Sequence, residues 1–319
     1  MTYWFLDGGG EWRHLINYMC PQDKVIGSNT NINKFFQEFT PFTTINLRCK
    51  PTLYEGSFLS IIKNIFRVRK DYKEHFSHLR NEIIFADCVV ATLSFFSFIK
   101  KLSKHNRVFF CARKGVIDEK FNLKEYYGLH WLPMKLIGLI LGVNINITKV
   151  LDKPLWYVKK GRLGEKGYME YNLVEPTITF PIKYQALLEG KDTLVLLNDL
   201  KTLAYSPRNA SDMVASLLDK ETTIVKNHTR NPKIYGTFND FMQFPEYMPA
   251  ELLIANHKWK NIITLYVSKT SLHDSDAKKI CAYNLIDWKI PVKAQWIYDV
   301  TKHHTLLPKT KEEFKEMLA

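Results

Sequence analysis

Short apolar runs alternate with longer stretches of helical spacing along most of this chain. Residues 3–6, Tyr-Trp-Phe-Leu, read as a buried strand, followed by the turn Asp7-Gly8-Gly9-Gly10-Glu11 and a helix-like run to about Met19. Residues 24–27 and 44–47 supply a second and third strand. Residues 57–68 carry helical spacing with basic side chains on one side, 81–86 a strand, 89–104 a helix, and 107–111 another strand. Strand, glycine turn and helix open a Rossmann-like unit, and strands alternating with helices predict a parallel sheet with crossover helices. Residues 1–115 therefore read as one doubly wound half.

The middle of the chain is patterned differently. Residues 132–143 read as an apolar helix, 155–158 as a strand, and 159–167 as a charged, glycine-bearing loop. The extended stretch 176–181, bracketed by Pro176 and Pro181, marks a domain junction. Alternation then resumes, with strands at 193–197, 222–225 and 262–267. Helices are expected at 211–218 capped by Ser211, at 249–256 with Pro249 near its first turn, at 274–283, and at 311–318. The expectation is an α/β protein of two Rossmann-like domains, residues 1–180 and 181–319, facing a central cleft.

Composition narrows the partners. The chain of 319 residues is 46% hydrophobic, enough for substantial cores, and carries 45 basic against 32 acidic residues, a net charge of +13. Such an excess suits an anionic partner: nucleic acid, an acidic membrane surface, or phosphorylated and acidic sugars. A merely lysine-rich surface would give the same count. The five cysteines are odd in number and form no C-x-x-C pair, which fits free thiols rather than a disulfide framework or structural zinc. No stretch of about 18 apolar residues occurs, and the first residues lack the basic and apolar regions of a signal peptide. These features predict a cytoplasmic protein, or one peripheral on the inner face of a membrane.

Three polar clusters stand beside apolar runs in the second half, where α/β proteins bind ligands. Lys226-Asn227-His228-Thr229-Arg230 follows one strand. His228 can donate to a phosphate that Arg230 clamps, or can simply be satisfied in a turn. Glu251 falls in the first turn of its helix, either as an acceptor for ribose hydroxyls or as an ordinary helix-start acid. Ser268, Thr270 and Ser271 follow the next strand, where hydroxyls and backbone N–H groups suit a phosphate or merely cap a turn.

The order of strand-Lys-x-His-x-Arg, Pro249-Ala250-Glu251-Leu252-Leu253, and strand-Ser-x-Thr-Ser resembles the C-terminal half of bacterial lipooligosaccharide sialyltransferases (glycosyltransferase family 52) and related capsular polysialyltransferases. The resemblance spans about 50 residues strongly. It implies a GT-B fold holding CMP-sialic acid between two Rossmann-like domains, with acceptor binding assigned to the first and donor binding to the second. It also implies a phosphate contact for His228, a place beside the ribose for Glu251, and phosphate contacts for Ser268, Thr270 or Ser271. Activity would be inverting transfer of a sialic-acid-like sugar to a glycan, free or lipid-linked, with no cofactor beyond the CMP-sugar substrate and no metal. The sequence departs from the family in two places. Thr229 stands where the family has proline, and Ala112-Arg113-Lys114-Gly115 stands where the family has two acids and a glycine supplying the base. Asp7 and Glu11 are the substitutes expected, with Asp118 a third.

A rival reading starts from the N-terminus. The turn at residues 7–11 also looks like the first motif of a methyltransferase holding S-adenosylmethionine. Asp87 and Lys114 fall where RNA cap 2′-O-methyltransferases place a catalytic acid and lysine, and RNA would then use the positive charge. Gly27-Ser28-Asn29, however, offers no acid for the cofactor ribose.

Overall fold

In the computed structural model, the described residues are 1–6, 12–27, 30–48, 63, 66–67, 69–87, 102, 104–112, 155–159, 174–228 and 234–319. The chain divides into two units, Met1–Pro176 and Thr177–Ala319.

In the first unit six strands form one sheet: β1 (Thr2–Phe5), β2 (Lys24–Gly27), β3 (Thr43–Asn46), β4 (Ile83–Asp87), β5 (Arg107–Ala112) and β6 (Leu155–Lys159). Their order is β3-β2-β1-β4-β5-β6, and every pairing is parallel. Central strands of such a sheet are covered on both faces and read as continuous apolar runs. Tyr3, Trp4 and Phe5 are accordingly all buried. The helix Thr30–Phe39, which the strand pattern did not announce, buries Ile32, Phe35, Phe36 and Phe39, the i, i+3, i+4, i+7 stripe of an amphipathic helix. Trp12 packs between Phe35 and Phe36 at ring-centroid distances of 5.1 and 5.3 Å. Gly27, closing β2, is tightly enclosed: a Cβ there would lie 2.6 Å from Asn33 Oδ1 and 3.2 Å from Leu6 O.

Polar ties hold this sheet at its edges. Asp23, buried, accepts from Thr2 N at 2.8 Å, Trp4 Nε1 at 3.0 Å and Cys20 N at 3.0 Å. Far along the chain, Glu175 takes Arg13 Nε with both carboxylate oxygens at 2.8 Å, and Asn17 Nδ2 donates to Val174 O at 2.9 Å. The last residues of the unit thus return to its first helical turn.

The second unit repeats the topology. Its strands are β7 (Thr193–Leu196), β8 (Thr223–Lys226), β9 (Met242–Phe244), β10 (Asn261–Thr264), β11 (Lys278–Cys281) and β12 (Thr305–Leu306). They lie in the order β12-β11-β10-β7-β8-β9, again all parallel. Counted from the first strand of its unit, each sheet runs 3-2-1-4-5-6, the doubly wound order of dinucleotide-binding domains. The chain is α/β with two such parallel sheets, as its alternation predicts. The core of the second unit gathers Val195, Val225 and Ile263 from the sheet with Val214, Phe238, Phe241 and Phe314. Among the described residues no helix is long and apolar enough to cross a membrane.

The structure departs from the sequence pattern at three places. Ser211 does not cap a helix: the helix is Pro207–Ala215, and buried Ser211 sits within it, its Oγ donating to Pro207 O at 2.9 Å. Proline at the first helical position had displaced the start upstream, because it needs no intrahelical N–H partner there. Residues 274–283 form no α-helix but contain the strand β11, whose Ile280 and Cys281 are fully buried, and the start of the 3-10 turn Ala282–Leu285. The strand read as 262–267 is β10 and ends at Thr264, because Tyr266 N turns away to Asn198 Oδ1.

Candidate functional site

Doubly wound sheets bind ligands outside their strands' carboxyl ends, where the strand order reverses. In the second unit that reversal lies between β7 and β10. Asn198, just past β7, accepts from Tyr266 N with Oδ1 at 2.9 Å, while its own carbonyl accepts from Leu200 N at 2.8 Å. One residue, through its side chain and its carbonyl, therefore ties both loops leaving the switch point. Behind them Tyr266 packs edge-on against Trp288 at 4.8 Å, and Trp288 stacks on Tyr283 at 5.9 Å.

The exit of β8 carries most of the polarity. All four residues of the strand are buried, including Lys226 at its end. Its ammonium donates to the carbonyls of Asn227 at 3.1 Å and Glu246 at 3.4 Å. Burial pushes its pKa down to about 8, against the pull of the Glu251 and Glu246 carboxylates. Asn227 is also buried; its Oδ1 accepts from His228 N at 2.8 Å, while its Nδ2 has no hydrogen-bond partner. A buried amide donor without a partner costs about 1–3 kcal/mol. His228 follows, half-buried.

Glu251 stands in the first turn of the helix Ala250–Ala255. Its Oε1 accepts from Thr270 Oγ1 at 3.4 Å, long for such a bond. Thr270 belongs to the 3-10 turn Lys269–Leu272 after β10. Ser268 caps this turn by accepting from Thr270 N at 3.2 Å. Ser271 is buried and its hydroxyl donates to Ser268 O at 2.5 Å, so that hydroxyl is engaged in building the turn. The fold thus joins Glu251 to the Ser268–Thr270 turn, and the Glu251 carboxylate acts electrostatically on Lys226 at the end of β8.

Arg230, Asp7, Glu11 and Asp118 lie outside the described residues, although Asp7 and Glu11 follow β1 directly in the chain, after Leu6. Of the pair behind the methyltransferase reading, Asp87 closes β4 and Lys114 lies outside the described residues, as do Arg113 and Gly115.

Sequence reasoning gave no role to Lys226, Asn227, Asn198 or Glu246. Lys226 had a signal, since a lysine closes the otherwise apolar strand Thr-Ile-Val-Lys. Asn198 and Glu246 had none, because their significance comes from loops meeting in space.

No protein-family model matches the chain, and no curated protein matches it. Among solved structures it is similar to the calicheamicin glycosyltransferase CalG4, with a TM-score of 0.49 and 9% identity over 99% of this chain and 88% of that one. It is also similar to the glycosyltransferase of kitacinnamycin, with a TM-score of 0.49 and 10% identity over 99% and 89%. A third likeness is to a UDP-glucosyltransferase from Polygonum tinctorium, with a TM-score of 0.45 and 9% identity over 99% and 88%.

Proposed function

We propose that this chain is a glycosyltransferase that holds the nucleotide of an activated sugar at the carboxyl edge of its second sheet. The observation that carries this reading is the hydrogen-bonded link of Glu251, Thr270 and Ser268, which joins the helix after β9 to the turn after β10 in a 3-2-1-4-5-6 sheet. Glu251 accepts hydrogen bonds from the ribose hydroxyls. His228 and Arg230 meet the phosphate, and Thr270 and Ser268 add donors. The order of these groups along the chain favours a CMP-activated, sialic-acid-like donor and a glycan acceptor.

In the reaction an acceptor hydroxyl oxygen attacks the anomeric carbon as the bond from that carbon to the nucleotide phosphate oxygen breaks. The electron pair leaves with the phosphate, where His228 and Arg230 stabilise the developing charge. The hydroxyl proton passes to a carboxylate, for which Asp7 and Glu11 are the candidates. One-step displacement inverts the anomeric centre.

Thermal-shift measurements test the ligand class. A ligand at about a hundred times its Kd adds about 2.7 kcal/mol to the folded state, so CMP or another nucleotide should raise Tm clearly and S-adenosylhomocysteine should not. A rise with S-adenosylhomocysteine alone would transfer the chain to the methyltransferase reading. With a competent donor, His228→Ala should lower turnover by about a hundredfold while leaving the melting profile in place. Unchanged turnover would remove His228 from the site.

A further inference from the structure

We propose a second ligand site, in the first unit: a basic pocket that binds a phosphate group at the amino edge of the sheet. The pocket, of about 560 Å³, is lined by Arg80, Asn81, Lys104, His105, Asn106 and Arg107. These residues immediately precede β4, which starts at Ile83, and open β5, which starts at Arg107. The pocket therefore lies at the end of the strands opposite to the edge where doubly wound sheets take their nucleotides. It stands independently of the proposed transferase site.

The floor of the pocket is rigid. Asn81 adopts a φ of 61°, a left-handed conformation that asparagine tolerates, and its N–H donates to His105 O at 2.8 Å. Arg107 N donates to Glu82 O at 3.0 Å, tying the two strand entries together. Asn106 completes the clamp: its Nδ2 donates to Leu79 O and Leu102 O at 3.3 and 3.0 Å, and its Oδ1 accepts from Glu82 N at 3.1 Å. Arg80 Nη1 donates to the carbonyls of Ser77 and Leu79, which fixes where its guanidinium stands.

On this floor stand two arginines, a lysine and a histidine, and the lining contains no carboxylate. Glu82, next to Asn81 in the chain, is not part of that lining; burial raises the pKa of the Tyr3 phenol of β1, and the Glu82 carboxylate adds to the rise. Clustered cations of this kind recognise phosphate: guanidinium offers paired donors and ammonium a point charge. The phosphate can belong to a soluble phosphoester or to an anionic lipid headgroup, and one experiment separates the two.

Amine labelling of the intact chain, read by mass spectrometry, reports on Lys104 directly. Inorganic phosphate should slow the labelling of Lys104 by about tenfold at saturation while leaving Lys260, an exposed lysine of the second unit, unaffected. Phosphatidylcholine vesicles containing phosphatidic acid form the second arm. Protection by these vesicles as well assigns a lipid headgroup, and protection by inorganic phosphate alone assigns a soluble phosphoester. Titration calorimetry with inorganic phosphate should then show affinity reduced by about tenfold in Lys104→Glu and unchanged in Lys260→Glu, which alters net charge equally. Absence of protection in both arms, or equal weakening in the two variants, overturns the site.

Discussion

Asp23→Ala is expected to destabilise the first unit by about 3–5 kcal/mol, since three N–H donors lose one charged acceptor and a buried donor left unsatisfied costs about 1–3 kcal/mol. The Asp23 carboxylate serves three donors from separate segments: Thr2 N and Trp4 Nε1 of β1, and Cys20 N in the approach to β2. Alanine leaves all three N–H groups without their acceptor. Trp4 suffers most, since its side chain is only 2% exposed and water cannot replace the lost oxygen. Asp23→Asn should cost about half as much, because an amide oxygen can keep part of the set while its NH2 opposes a remaining donor. Chemical denaturation with tryptophan fluorescence measures both, and the two units call for a fit that allows two transitions. A loss below about 1 kcal/mol in Asp23→Ala would mean that this carboxylate does not anchor β1.

That anchor was invisible in the sequence, whereas the strand it anchors was not. Tyr-Trp-Phe at residues 3–5 is legible because a parallel strand buried on both faces leaves an unbroken apolar run. The same logic recovered β2, β5, β7 and β8 to within a residue or two. It failed at β11, where Lys278-Lys279-Ile280-Cys281 brings lysines into an interior strand between β10 and β12. A lysine can extend its stem along apolar surface and deliver its charge elsewhere; buried Lys279 does so, giving its ammonium to the carbonyl of His273. β9 and β12, of three and two residues, are too short for any period to register.

The site shows the same division. Glu251 and the Ser268–Thr270 turn were legible as polar groups at element ends, since local chemistry puts acids at helix starts and hydroxyls at turns. Their meeting was not, because the Glu251–Thr270 hydrogen bond joins residues 19 apart that only the sheet brings together. Ser271 illustrates the converse: it has the right chemistry, but its hydroxyl is turned inward to hold the Ser268 carbonyl.

Lys226→Met should change stability in a way that depends on pH, and this tests the centre of the proposed site. The lysine's pKa falls from 10.5 to about 8 in the folded chain. Between those values the unfolded chain binds the additional proton, so the wild-type protein gains stability as pH rises through that window. At about 1.4 kcal/mol per pKa unit the full gain is about 3 kcal/mol. Methionine has no proton to lose and shows none of it. Below pH 8 the variant should therefore stand higher relative to wild type than at pH 10.5 by about 3 kcal/mol. Its absolute position is lowered by the Asn227 and Glu246 carbonyls, which lose their donor at about 1 kcal/mol each. Paired unfolding curves across this range isolate the term, because every other titrating group is common to both proteins; a gap that stays constant with pH would mean that the ammonium is not desolvated. The same variant should lose the Tm increase that a nucleotide gives the wild type, because Glu251 then faces the ligand without its buried countercharge. A chain that is more stable at neutral pH yet no longer stabilised by nucleotide would show that the buried lysine is kept for binding, at a cost to the fold.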